Sequence, residues 1–395
     1  MNTKKISSFT GLRFIMIMFI VLTHFNGIIQ YLGEFGKIHY KYTFDFYMLA
    51  VDFFFLLSGF GMMFSYINKV SLDEIKLPSL KYGIKYAVNH VKKIYPVYIA
   101  TIIFGVLMVF IKSAFFEHMF SKGLIIKGCI KILSNVVLLQ AASGMTYFTH
   151  AYNGAAWFLS SLFCIYIVSP YIMYFLRKKS KNCIVDIVFI AANIIIILFL
   201  NHFLSLLENK ISGISGIPNF DGLVYSSPYR RVFYVIIGMN ISMIISRIDR
   251  ENFISTKTAT LFEILITVIA LIYYSLIRPN VAQYFYSSII EMIIVISFLF
   301  IFSFDKGSIS RLLGKTIMQT LGNMAMYIFL IHFVIMQHTF LHIQNKWGWS
   351  FITVYSYIAI VLIITFTISW LLYKHDSAKK QINNGDNKLE QPNTK

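Results

Sequence analysis

Long apolar runs recur along the chain, each bounded by polar or turn-forming residues. They fall at about 11–32, 44–67, 94–111, 155–176, 184–207, 230–246, 259–277, 284–304, 320–342 and 350–373. Each has roughly the 17–25 residues that a helix needs to cross a hydrocarbon core about 30 Å thick. The pattern predicts an all-α, polytopic integral membrane protein with about ten transmembrane helices within residues 1–373. The Asn-, Lys- and Gln-rich segment 374–395 is expected to be a disordered tail. One further apolar stretch, Leu124 to Ala142, carries Lys127 and Lys131 and is expected to be an interfacial or partly buried helix.

Composition excludes the main competitor. Of the 395 residues 57% are apolar and 13% charged, with a mean hydropathy of +0.68, whereas a soluble domain carries about 25% charged residues. The charge balance, 35 Lys and Arg against 17 Asp and Glu, gives +18 and in a soluble chain would point to nucleic acid. Between membrane spans it is a topology signal, because basic residues accumulate on the cytoplasmic side. With the N-terminus inside, about two thirds of the basic residues, from Lys4 and Lys5 onward, fall in inner segments and about a quarter in outer ones. Both termini are therefore expected in the cytoplasm, in a cell membrane whose anionic lipid attracts the inner face. Nucleic acid is not an expected partner. The run after Met1 to Ser8 is long and lacks a small-residue cleavage site, so it is expected to persist as the first span. Cys129, Cys164 and Cys183 have no metal-ligand spacing and are expected as small core residues, predicting neither a metal site nor redox chemistry.

Ionisable side chains inside spans are costly, so they are the strongest pointers to function. In GLRFIMIMFIVLTHF, Arg13 and His24 are eleven residues apart; on a helix they share a face to within roughly 20° and stand about 16 Å apart along the axis. In VDFFFLLSGF, Asp52 lies about 12 Å below the outer edge, close to the depth of His24. A carboxylate at the level of an imidazole predicts a pair in which Asp52 orients His24 as a general base, or alternatively a plain ion pair tying two helices together. Ser58 and Gly59 predict close helix packing. Lys92 and Lys93 precede IYPVY, where cations could hold phosphates. Arg230 and Arg231 open a span at the outer face and could grip an anionic group or a sugar, and Trp157 lies near the outer edge of its span, although each also suits an interfacial anchor. Ser160, Glu263, Glu291 and His332 are weaker candidates that neighbours could satisfy without chemistry.

Taken in order, Arg13 with ten intervening residues before His24, VDFFFLLSGF, KKIYPVY, WFLSSLF, PYRRVFYVIIGM and LGNMAMYIFLIH resemble the membrane acyltransferase-3 family, over about residues 8–373. The resemblance implies transfer of an acyl group, mostly acetyl, onto an extracytoplasmic sugar. It further implies that His24 is the essential histidine, Arg13 its motif partner and Asp52 the acid of the second span. Two departures stand out. Many members have arginine where Lys92 and Lys93 stand, and lysine lacks the bidentate fork; many also carry an acid in the fourth span that WFLSSLF lacks. No soluble esterase-like domain is appended, which favours a surface polysaccharide or its lipid-linked precursor over peptidoglycan as acceptor.

No permanently bound cofactor is expected. Acetyl-CoA is the expected donor, its phosphates held by Arg13, Lys92 and Lys93 while the thioester reaches His24; Arg230, Arg231 and Trp157 are expected on the acceptor side, Trp157 offering a face for sugar stacking. The rival expectation is a transporter or flippase of lipid-linked sugars that uses the intramembrane His and Asp as a proton relay. Such proteins favour helices broken at matching positions, and the seven prolines form no symmetric pair.

Overall fold

The computed structural model describes residues 6–71, 74–112, 122–215, 222–280, 285–347 and 349–389. Lys4, Lys5 and the last six residues of the predicted tail lie outside the described residues. Among the described residues the fold is wholly helical, and each of the ten apolar windows is helical over most of its length. In chain order the principal helices are α1 (Ser7–His24), α2 (Gly33–Thr43), α3 (Tyr47–Lys69), α4 (Leu80–Val91), α5 (Tyr95–Lys112), α6 (Lys122–Val136) and α7 (Trp157–Lys179). They continue as α8 (Cys183–Ser215), α9 (Pro228–Arg247), α10 (Thr256–Ile272), α11 (Phe285–Phe302), α12 (Ser308–Leu313), α13 (Thr316–Trp347) and α14 (Phe351–Leu389).

Length and apolar composition mark six segments as able to cross a membrane, one of them, Ser7–Lys69, holding both α1 and α3. The number rises to seven when α4 and α5, which meet at a 73° bend, count as one broken span. The predicted ten thus includes two windows that these criteria leave out. One is α9, whose 20 residues include Arg230, Arg231 and Arg247; the other is α11, which among the described residues counts as a shorter apolar helix over Ile289–Phe302. α11 packs against α3, α9 and α10 while keeping Ile290 and Ile293 exposed. α9 is buried nearly all round, while α8, α10 and α14 keep apolar side chains such as Ile187, Phe199, Leu265 and Ile363 exposed. A helix apolar on its outside suits lipid, and one with buried arginines must be enclosed by other helices.

Helix ends and helix crossings fix the frame. Two orphan N–H groups opening α1, at Ser7 and Ser8, donate to the Asp305 carboxylate, each at 2.8 Å. The buried carboxylate of Glu263 accepts from Gly307, Ile309 and Ser310 N–H at 2.9–3.0 Å, capping α12. Glu263 is therefore a structural residue, as its neighbours allowed. The most extensive helix contact joins α3 to α9, which run parallel. A Cβ on Gly59 would overlap the Val235 carbonyl, and one on Gly238 the Leu56 carbonyl. The absence of side chains there lets the backbones touch, as expected for Gly59. Gly322 does the same for α13 against the Thr10 carbonyl of α1.

Two expectations need correction. Where a disordered tail was predicted from Lys374, α14 continues to Leu389. Asp376 in this extension accepts a hydrogen bond from Tyr327 of α13 and pairs with Lys93 at 3.4 Å, contacts that hold the helix against the bundle. Cys129, expected as a small core residue, is exposed on α6.

Candidate active site

Four helices present one regularly spaced stripe each to a shared cavity of about 390 Å³. From α1 come Arg13, Ile17, Ile20 and His24, and from α3 Tyr47, Val51, Phe54 and Ser58. α7 supplies Trp157, Phe158, Leu162 and Tyr166, and α13 supplies Asn323, Met326 and Phe329. Intervals of three and four residues are those of one helix face, and the Gly322 contact brings the α13 stripe beside that of α1. The wall between Arg13 and His24 is thus largely apolar and aromatic.

Arg13 and His24 line the same cavity, as their spacing predicts. Arg13 has no hydrogen bond or ion pair among the described residues and keeps its side chain exposed. An unpaired guanidinium in an apolar channel is costly unless something anionic or water compensates it. Lys93 also lines the cavity, placed there by the bend between α4 and α5, but Asp376 already engages it. Lys92 points elsewhere, exposed and outside the cavity.

His24 closes α1. Its Nδ1 lies 3.0 Å from Nε2 of His332, and Nδ1 of His332 lies 2.9 Å from the Ile328 carbonyl one turn earlier in α13. The Phe333 ring stands edge-on to the His24 imidazole, with centroids 4.6 Å apart.

The predicted pairing of Asp52 with His24 is not formed. Asp52 makes a buried ion pair with Arg231 of α9, both side chains almost wholly excluded from solvent. The reason is helix geometry. Val51 and Phe54 face the cavity, whereas Asp52, Leu56 and Gly59 lie on the neighbouring face that α9 covers. Their partners Arg231, Val235 and Gly238 follow the same spacing along α9, so one register matches charge to charge and glycine contact to glycine contact. Arg231 also donates to the Tyr225 carbonyl at 2.9 Å, and its guanidinium lies 5.3–5.8 Å from the rings of Phe55, Trp157, Tyr225 and Tyr234. Arg230 is buried too, donating to Asn201 at 2.5 Å, and lines no part of the cavity. Neither arginine lines the cavity. Trp157 lines the cavity but is packed into its wall, 4.9 Å from Tyr225. Ser160 is buried and donates to the Leu138 carbonyl at 2.8 Å, and Glu291 accepts from Arg278 at 2.8 Å. Both are accounted for by structural contacts.

The family whose sequence model carries the description "Acyltransferase domain" matches residues 6–374, nearly the whole chain. The chain belongs to the membrane acyltransferase-3 family. Searches of curated proteins and of solved structures find no match. In this acyltransferase, sequence spacing found the Arg13–His24 stripe but missed the aromatic lining from Tyr47, Tyr166 and Tyr225 and the contact made by His332. The signal for His332 was modest: an imidazole in the middle of an apolar helix, with no motif to say which helix it would face. The signal against an Asp52–His24 pair was present in VDFFFLLSGF itself, since Gly59 lies on the face of Asp52 and marks that face as covered.

Proposed function

We propose that the protein moves an acyl group, acetyl in the simplest case, from cytoplasmic acyl-CoA to a hydroxyl of a cell-surface polysaccharide or its lipid-linked precursor. The observation that carries this reading is one cavity lined at one end by a guanidinium without an ion pair among the described residues and at the other by a histidine. The two are separated by about 16 Å of helix, comparable to an extended pantetheine arm. In this reading the N-terminus and the α4–α5 bend face the cytoplasm. Arg13, with Lys93 beside it, binds the CoA phosphates by charge-assisted hydrogen bonds, and the apolar wall between them takes the pantetheine arm. Lys92 and the buried Arg230 and Arg231 have no direct role, and Trp157 shapes the wall.

At His24 the thioester carbonyl meets the acceptor hydroxyl. In direct transfer the imidazole takes the hydroxyl proton as oxygen attacks, the C–S bond breaks, and the proton passes to the leaving thiolate. In the two-step route Nε2 of the imidazole attacks the carbonyl and the C–S bond breaks to release the CoA thiolate; the acceptor oxygen then attacks the acyl-imidazole, the C–N bond breaks, and the hydroxyl proton passes to the thiolate. Both routes use the ring nitrogen of His24 that His332 leaves free. The test is acetyl-CoA turnover in proteoliposomes. His24→Ala should abolish transfer in protein that still inserts and folds, and near-normal turnover by that variant sinks the reading.

A further inference from the structure

We propose that His332 is the positioning residue of this site: it fixes the tautomer of His24 so that the basic lone pair sits on Nε2. A histidine on α13, anchored by a backbone carbonyl, thereby does what a carboxylate does in more familiar arrangements.

The hydrogen-bond chain has one consistent polarity. The Ile328 carbonyl can only accept, so the His332 nitrogen 2.9 Å away, Nδ1, carries a proton. A neutral imidazole carries one N–H, which leaves Nε2 of His332 as an acceptor. That atom stands 3.0 Å from Nδ1 of His24. Two lone pairs do not face each other at that distance, so Nδ1 of His24 is the donor and its own Nε2 is unprotonated. The Ile20 carbonyl of α1 also approaches the His24 ring. It stands in the same one-turn relation that joins Ile328 to His332.

Around the pair, the described residues include aromatic rings, a third imidazole and carboxylates committed to other partners. The Phe329 and Phe333 rings pack against the imidazoles, and His150 is a third imidazole in the field of His24. Asp52 is committed to Arg231 and Glu291 to Arg278. His332 is buried, with 1% of its surface exposed, so its rotamer is set by packing. When Nε2 of His24 takes the acceptor proton, Nδ1–H already points at Nε2 of His332, which shares the new positive charge. When that proton leaves with the thiolate sulfur, the starting tautomer returns.

The catalytic consequence rests on the acyl-transfer reading, whereas the tautomer does not, and the experiment separates them. In nanodisc-embedded full-length protein with 15N-labelled histidine, the His24 signals, identified by their loss in His24→Gln, should show a protonated Nδ1 and an unprotonated Nε2. His332→Ala should release that preference. His332→Gln, whose amide oxygen can accept from Nδ1–H, should keep it. In acetyl-CoA turnover His332→Ala should lower kcat about 100- to 1,000-fold with KM for acetyl-CoA within about twofold. His332→Gln should recover at least about tenfold of the lost kcat. A protonated Nε2 on His24 in the unaltered protein overturns the inference without need of any variant, as does wild-type kcat in His332→Ala. No turnover by the unaltered protein would instead count against the acyl-transfer reading and leave the spectroscopic result standing.

Discussion

Two arginines at intramembrane positions, Arg13 on α1 and Arg231 on α9, differ in what surrounds them. Arg231 is wholly buried, paired with Asp52, bonded to the Tyr225 carbonyl and enclosed by four aromatic rings. Arg13 borders a cavity and has no hydrogen bond or ion pair among the described residues. The same side chain is a strut in one place and borders open space in the other, because a guanidinium out of water must be matched and, of these two, Arg231 has a carboxylate partner among the described residues. The difference teaches that an intramembrane charge points to function only when its partner is missing.

The largest effect should come from breaking the matched pair. Asp52→Ala strands the Arg231 charge and should destabilise the folded protein by about 3–5 kcal/mol, measured by thermal or denaturant unfolding in detergent. Replacing both partners, Asp52→Leu with Arg231→Met, should restore most of that stability, since an apolar pair of similar size avoids the desolvation penalty. A stable Asp52→Ala variant with impaired turnover would break the comparison and return Asp52 to the chemistry.

Arg13→Ala should behave in the opposite way. Its melting temperature should stay within about 2 °C of the parent or rise, because an uncompensated charge is removed. KM for acetyl-CoA should rise about 10- to 100-fold, from loss of charge-assisted hydrogen bonds worth about 1.5–3 kcal/mol. Unfolding of this variant would show that Arg13 has structural partners after all.

A smaller effect separates Glu263 from both arginines. Glu263→Gln keeps the shape but weakens the cap on α12, and it should lower stability by about 1–2 kcal/mol with KM unchanged. The smallest contrast lies between neighbouring lysines. Lys93→Ala should raise KM for acetyl-CoA only about two- to fivefold, because the half-exposed pair with Asp376 contributes under about 1 kcal/mol and Lys93 is shared. Lys92→Ala should change nothing beyond experimental error. An equal effect at both positions would mean that the lysines act through general surface charge.

Much of this is legible in the sequence alone, and the boundary is physical. The apolar windows all become helices because a chain this hydrophobic must satisfy its backbone internally. The Arg13–His24 stripe survives because it lies within one helix, where spacing alone fixes direction. Number and depth of spans were less legible: α9 looks like a span by length, yet its polar residues suit a helix enclosed by protein. The extension of α14 past Lys374 was hidden because composition predicts no helix there, and the holding contacts at Asp376 come from distant parts of the chain.

The sequence by itself determined an all-helical membrane protein, the family to which it belongs and a charged and a basic group on one face of the first helix. Only the tertiary structure decided the partners. Depth along two helices can suggest that Asp52 and His24 are level, but the rotation of each helix about its axis, set by Gly59 against Val235 and Gly322 against Thr10, determines which groups meet. That rotation gave Asp52 to Arg231 and left His24 to His332. Partner choice depends on contacts between residues hundreds of positions apart, and no local spacing encodes it.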